Sequence, residues 1–378
     1  MSHSVRRRVR TLGVLLAALV VVTGCQAGAG RGGGDAQAGP ALAEVTPIED
    51  PRSWHGPSSA SAGQMPVEAI TTGEVVLPVT MTDSQGTEVT ITDTSRILAL
   101  DIYGSTSRIV FELGLGDQLV GRDISTAFPE AAVLPLVTQN GHDLNAEAIL
   151  DLAPTVIITD TSLGPWDTIL QMRDVGIPVV VVDSHRRIES VDTLITQVGT
   201  ALGVPERAAE LAARTGVEID EKLAEIAAVA PVEPADRLRM IFLYVRGQSG
   251  VYYLFGDESG ADSLIESLGG IDIAGEIGWQ GMRPITDEAL VAADPDLILM
   301  MTKGLESVDG VEGLMEHIPA IAQTAAGQNR RIVDMSDTQI LSFGPATAAV
   351  LDALAVAIYA PDAAGPDAAG DAAGDGAP

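Results

Sequence analysis

Thr155-Val156-Ile157-Ile158-Thr159 and, after a helix-like interval, Pro178-Val179-Val180-Val181-Val182 decide the fold class. Each is a short unbroken run of apolar, mostly β-branched residues, which suits a parallel strand covered on both faces. Just upstream, Arg96-Ile97-Leu98-Ala99-Leu100 is a third such run, followed by a helical pattern through Ile109, Val110, Leu113 and Leu115. Before it, residues 74–92 alternate about a polar turn containing Gly86, the pattern of a β-hairpin. From Ile188 to about Val229 the pattern is helical, punctuated by Gly203-Val204-Pro205. Beyond Pro231–Pro234 a second series opens with a strand at Met240–Tyr244 and a helix at Ser259–Leu268. Strands at Leu297–Met301 and Arg331–Met335 and a helix at Ala346–Ala360 complete it. The expected fold is α/β, with two Rossmann-like lobes joined by a long helix and a ligand cleft between them. The N-terminal lobe with its leading hairpin is expected at 66–187, the helical spine at 188–230 and the C-terminal lobe at 231–360.

The ends read differently. Arg6, Arg7, Arg8 and Arg10 precede the apolar run Leu12 to Val22, a signal segment over 1–25 that is too short to be a retained membrane span. Its last residues, Val22-Thr23-Gly24-Cys25, resemble a bacterial lipobox, which implies acylation of Cys25. Residues 26–65, rich in Gly, Ala and Pro at their start, are expected to be a disordered tether. Residues 361–378 repeat Asp-Ala-Ala-Gly and are expected to be a disordered tail.

Cys25 is the single cysteine, so no intrachain disulfide is available and stability must come from the core. The net charge of −30 repels phosphate backbones and argues against nucleic acid as a partner. No His-Glu-x-x-His, Gly-x-Ser-x-Gly or phosphate-binding glycine loop occurs, so nothing argues for an enzyme. Past the signal segment only His55, His142, His185 and His317 remain, too few for a typical His-rich metal cage.

Two segments carry chemistry: Gly141-His142-Asp143-Leu144-Asn145-Ala146-Glu147 and Phe242-Leu243-Tyr244-Val245-Arg246-Gly247. Imidazole and phenolate are both used as axial ligands of haem iron, and an adjacent guanidinium favours an ionised phenol. On residue type alone each has a plainer reading. A histidine in a turn is a solvated loop residue, and a tyrosine in an apolar strand is a core residue with one hydrogen bond.

At these residues the chain resembles the substrate-binding lipoproteins of ABC importers for cobalamin, siderophores and haem. It is particularly similar to the haem-binding lipoproteins of actinobacterial haem importers. The resemblance spans roughly 75–358 and rests on Gly141 to Leu150 with Leu152-Ala153-Pro154-Thr155, Gly176-Ile177-Pro178-Val179-Val180, Glu266-Ser267-Leu268-Gly269-Gly270 and Arg283 to Leu290. It implies that His142 and Tyr244 ligate the iron of haem b from opposite lobes, with Arg246 hydrogen-bonded to Tyr244. It further implies a monomer, lipid-anchored on the outer face of the cytoplasmic membrane, that receives haem, in one arrangement from an upstream donor protein. That monomer delivers haem to a permease through Glu147 and Glu266. A ferric siderophore or cobalamin as cargo is the alternative within the class. Tyr252, Tyr253, Met300 and Met301 are candidate cleft contacts, with core packing as their plain reading. His185, with Arg186 and Arg187, is a candidate for a haem propionate or else a solvated loop.

Overall fold

The computed structural model describes residues 38–247 and 252–364. The signal segment with Cys25, residues 248–251 and the repeat beyond 364 lie outside the described residues.

In the N-terminal lobe three parallel strands run in the order Ile97–Leu100, Val156–Thr159, Val179–Val181. Both faces are buried because successive side chains point to opposite sides and both sides are apolar. Ile97, Ala99, Val156, Ile158 and Val180 join a core shared with the helical spine. Leu98, Leu100, Ile157, Val179 and Val181 pack instead on Ile149, Ile169 and Met172 of the helices Ala146–Asp151 and Trp166–Asp174. The leading hairpin pairs Val79–Thr82 with Glu88–Ile91 in register.

The C-terminal lobe is built around a larger sheet. Its order is Ser58–Ala60, Ile332–Met335, Leu297–Met301, Arg239–Val245, Tyr252–Phe255, Met282–Pro284. The first four strands are parallel and the last two antiparallel. Here too parity sorts the side chains. Phe242, Leu299 and Val333 face the shared core, while Ile241, Leu243, Val245 and Met300 face a second cluster closed by Leu290, Val311 and Leu314.

Two helices, Val191–Ala201 and Pro205–Val229, form the spine, separated by a turn in which Gly203 adopts φ of 72°. Pro205 opens the second helix at a position where its missing N–H is not needed. That helix touches both lobes. Arg214 donates to Glu112 at 2.9 Å on the N-terminal side, and Lys222 reaches Asp352 of the helix Thr347–Tyr359 at 2.6 Å on the other.

Residues 38–65 depart from the expected tether. Ser58–Ala60 adds a parallel edge strand to the C-terminal sheet beside Ile332–Met335. Ser58 Oγ donates to the Ala357 carbonyl at 2.7 Å, Ser59 Oγ to Asp334 Oδ1 at 2.6 Å, and the Leu42 amide to Asp352 at 3.0 Å. The segment is held by backbone pairing and hydroxyl bonds with few large apolar side chains, so its composition resembles a linker while its backbone completes a sheet. The chain thus visits the C-terminal lobe first. It then crosses to the N-terminal lobe, where Arg108 holds the crossing segment by donating to the carbonyls of Met65 and Pro66 at 2.6 and 2.8 Å.

Candidate functional site

Ligands of open α/β sheets bind outside the carboxyl ends of the strands. Tyr244 is the last residue but one of Arg239–Val245, Met301 the last of Leu297–Met301, and Asp337 follows Ile332–Met335 by two. Three neighbouring strands therefore deliver these side chains to one edge.

Arg246 turns back over Tyr244. Its Nε donates to the phenol oxygen at 2.7 Å, and the guanidinium carbon lies 5.1 Å from the ring centroid. Its Nη2 is 3.5 Å from Asp337 Oδ2. Gly247 fixes this bend, because a Cβ there would stand 2.0 Å from the Ser307 carbonyl oxygen. With a guanidinium as donor, the phenol oxygen accepts and keeps electron density free for a second, positively charged neighbour.

His142 belongs to the other lobe. It ends the three-residue loop of a small hairpin in which Thr138 pairs with Leu144 and Gln139 with Asp143. Asn140 and Gly141 take φ of 48° and 94°, a left-handed turn that asparagine and glycine accept at least cost. The next residues explain the Asn-x-Glu pattern. Asn145 caps the helix Ala146–Asp151 by accepting from the Ala148 amide at 3.1 Å, which leaves Glu147 exposed in its first turn.

The imidazole of His142 feels Arg246, Asp337 and Lys303 from across the cleft. Burial pushes its pKa below the ordinary 6.5, Arg246 and Lys303 push it the same way, and Asp337 and Asp143 oppose them. The residue is exposed, yet the protein around the ring displaces enough water to favour the neutral form. A neutral imidazole is the form that can donate a lone pair. His142 thus lies within electrostatic reach of the Arg246 that bonds Tyr244. Among the described residues no three His, Cys, Asp or Glu side chains converge as a metal cage.

The remaining candidates separate. Tyr253 lies opposite Tyr244 in the antiparallel pair and shares its face, with centroids 6.4 Å apart. Tyr252 does not line the cleft. It points to the opposite face, packs on the second cluster and donates its hydroxyl to Asp287. Met300 is wholly buried in that cluster and is excluded as a contact, whereas Met301 is half-buried on the Tyr244 face. His185 is exposed, its Nδ1 2.8 Å from Asp183, and its arginine neighbours are committed elsewhere. Arg186 is buried against Asp160 at 2.7 Å and Asp101 at 3.3 Å, and Arg187 pairs with Asp262 of the C-terminal lobe. Burial removes Arg186 from reach of a propionate, whereas Arg187 stays 37% exposed beside its ion pair. Glu147 and Glu266 are both exposed, on the helices Ala146–Asp151 and Ala261–Ser267.

Sequence reasoning missed Asp337, Lys303 and the buried carboxyls Asp101, Asp123 and Asp160, the first and last of which pair with Arg186. All except Asp123 lie just past the ends of strands, and that placement was the available signal. In the N-terminal lobe burial, and after it the Asp101 charge, raises Asp123 to about 7 and Asp160 to about 6.

Comparison with known proteins bears on the whole fold. A family described as periplasmic binding protein matches residues 102–338, more than half of the chain. The chain belongs to that family. Its members bind and hand on substrates and are not enzymes. The chain is 40% identical to the heme binding protein HmuT, whose crystal structure superposes with a TM-score of 0.76 over 82% of this chain and 99% of that one. HmuT variants lacking an arginine, a tyrosine or a histidine superpose equally well. The periplasmic heme-binding protein RhuT from Roseiflexus sp. RS-1 is 35% identical, with a TM-score of 0.64 over 72% of this chain and all of that one. The uncharacterized ABC transporter substrate-binding lipoprotein YvrC of Bacillus subtilis (strain 168) is 25% identical over 292 residues, 75% of this chain and 86% of that protein.

Proposed function

We propose that this protein captures haem b outside the cytoplasmic membrane and delivers it to an ABC importer permease, with Tyr244 and His142 as iron ligands from the two lobes. The observation that carries this reading is the 2.7 Å hydrogen bond from Arg246 to the Tyr244 oxygen, set across the cleft from a His142 that burial and the same Arg246 keep neutral. A phenolate is a hard anionic donor, suited to ferric iron and hence to oxidised haem outside the cell. Support also comes from HmuT and RhuT, which are heme-binding proteins. The tyrosine and arginine replaced in HmuT stand two positions apart, as Tyr244 and Arg246 do.

An acylated Cys25 would hold the protein at the outer face of the membrane. Among the described residues no helix is long and apolar enough to cross one. Stable anchoring takes more than one acyl chain, which a diacylated cysteine supplies. Mature Cys25→Ser protein that stayed on the membrane would contradict the anchor.

Titration of the domain from residue 38 onward with haemin tests the central reading. A one-to-one complex with a tyrosinate-to-iron charge-transfer band is expected. Failure to bind haemin, with binding of a ferric siderophore instead, would overturn it.

A further inference from the structure

Arg246 can support a phenolate only while its Nε stays on the phenol oxygen, and 43% of its side chain is exposed. A long cationic side chain at such a site samples several rotamers, and holding one costs conformational freedom. A partner behind the guanidinium offsets that loss. Asp337 does so in this structure.

Asp337 is itself the better-held partner. Its side chain is only 14% exposed, and its Oδ1 accepts the Lys303 amide at 2.9 Å. Lys303 follows the strand Leu297–Met301, and Asp337 follows the strand Ile332–Met335 beside it. One carboxylate therefore ties two adjacent strand ends together with Oδ1. It spans them to reach Arg246, past the end of the third strand, with Oδ2 at 3.5 Å. The order of contacts runs from the Lys303 amide through Asp337 and Arg246 to Tyr244.

We propose that Asp337 is a positioning residue for the haem ligand Tyr244, acting through Arg246 by holding the guanidinium in the orientation that aims Nε at the phenol oxygen. The inference rests on the haem reading above. Asp337 does not touch the cargo; it sets how strongly Arg246 draws charge from the tyrosinate, and so the energy of the tyrosinate-to-iron transition and the lifetime of the complex.

Asp337→Asn keeps an oxygen for the Lys303 amide and removes the charge that holds Arg246. The test compares this substitution in the wild-type and Arg246→Ala backgrounds by charge-transfer band position and haemin dissociation rate. In the wild-type background the band should move in the direction that Arg246→Ala moves it, and dissociation should quicken by up to about fivefold, the range of a partly exposed ion pair. In the Arg246→Ala background neither should change. A shift of equal size in both backgrounds, or none in the first, would overturn the proposal while leaving Tyr244 as a ligand. If wild-type and Tyr244→Ala proteins show the same haemin spectrum, the haem reading itself fails and this role falls with it.

Discussion

Tyr253 stands directly across the antiparallel ladder from Tyr244, and the two rings lie 6.4 Å apart on the face that also carries Phe255, 6.0 Å from Tyr244. Tyr252, its neighbour in sequence, faces the other way into the second core cluster. One residue of strand parity therefore separates a cleft wall from a structural side chain. Tyr253→Ala should weaken haemin binding by roughly twofold to tenfold, the scale of one aromatic contact, with little change in melting temperature. Tyr252→Phe should leave haemin binding unchanged and cost about 1 kcal/mol of stability through its lost hydrogen bond to Asp287. Equilibrium titration and denaturant unfolding of both variants separate the two effects, and the reverse pattern would contradict the placement.

His142 sets an acid limit on ligation. Its folded-state pKa lies below the ordinary 6.5, so the ring is neutral at pH 7, and the unfolded chain takes up the proton first as pH falls. Folding stability from this group is therefore complete above pH 6.5 and is lost as pH falls toward the lower folded-state value, where the ring also gives up its lone pair for iron. The haemin complex should keep one spectrum from pH 7 to 8 and convert, below about pH 6.5, to the spectrum that His142→Ala shows throughout. A spectrum of His142→Ala identical to wild type at pH 7.5 would remove the histidine from the coordination sphere.

The buried carboxyls beneath the cleft work with the opposite sign. Burial and the Asp101 charge raise Asp123 to about 7 and Asp160 to about 6, with Arg186 partly countering this at Asp160. Between the ordinary aspartate value of 3.8 and those values the folded protein holds protons that the unfolded chain has released. Stability contributed by this group must fall as pH rises from about 4 to about 7. Asp123→Asn should flatten that part of the melting-temperature profile, even though it disturbs the Thr126 hydrogen bonds and lowers the profile as a whole. An unchanged slope from pH 4 to 7 would show that Asp123 titrates normally.

Glu147 and Glu266, exposed on one helix of each lobe, are proposed to dock the loaded protein on its permease. Exposed charges at an interface mainly govern orientation and encounter rate. A Glu147→Arg, Glu266→Arg double variant should lose haem uptake in cells while its haemin affinity stays within about twofold of wild type. Wild-type uptake by the double variant would rule the pair out.

Most central strands were legible as unbroken apolar runs, and Val156–Thr159 and Arg239–Val245 fall within a residue or two of where the sequence puts them. The same property hid side-chain direction. In a strand buried on both faces no polar alternation marks which side faces the cleft, so Met300 and Met301 read alike although one is wholly buried and the other borders Tyr244. Ser58–Ala60 escaped notice because an edge strand held by backbone bonds needs no apolar signature. Asp337 escaped because its partners, Arg246 and the Lys303 amide, lie on other strand ends that only the folded sheet brings beside it.

The most direct measurement is the absorption spectrum of Tyr244→Ala during haemin titration, beside wild type and His142→Ala. With Tyr244 as the anionic ligand, its removal abolishes the tyrosinate-to-iron band and most of the affinity, while His142→Ala retains the band and loses less. A Tyr244→Ala complex with the wild-type spectrum and affinity would contradict the account.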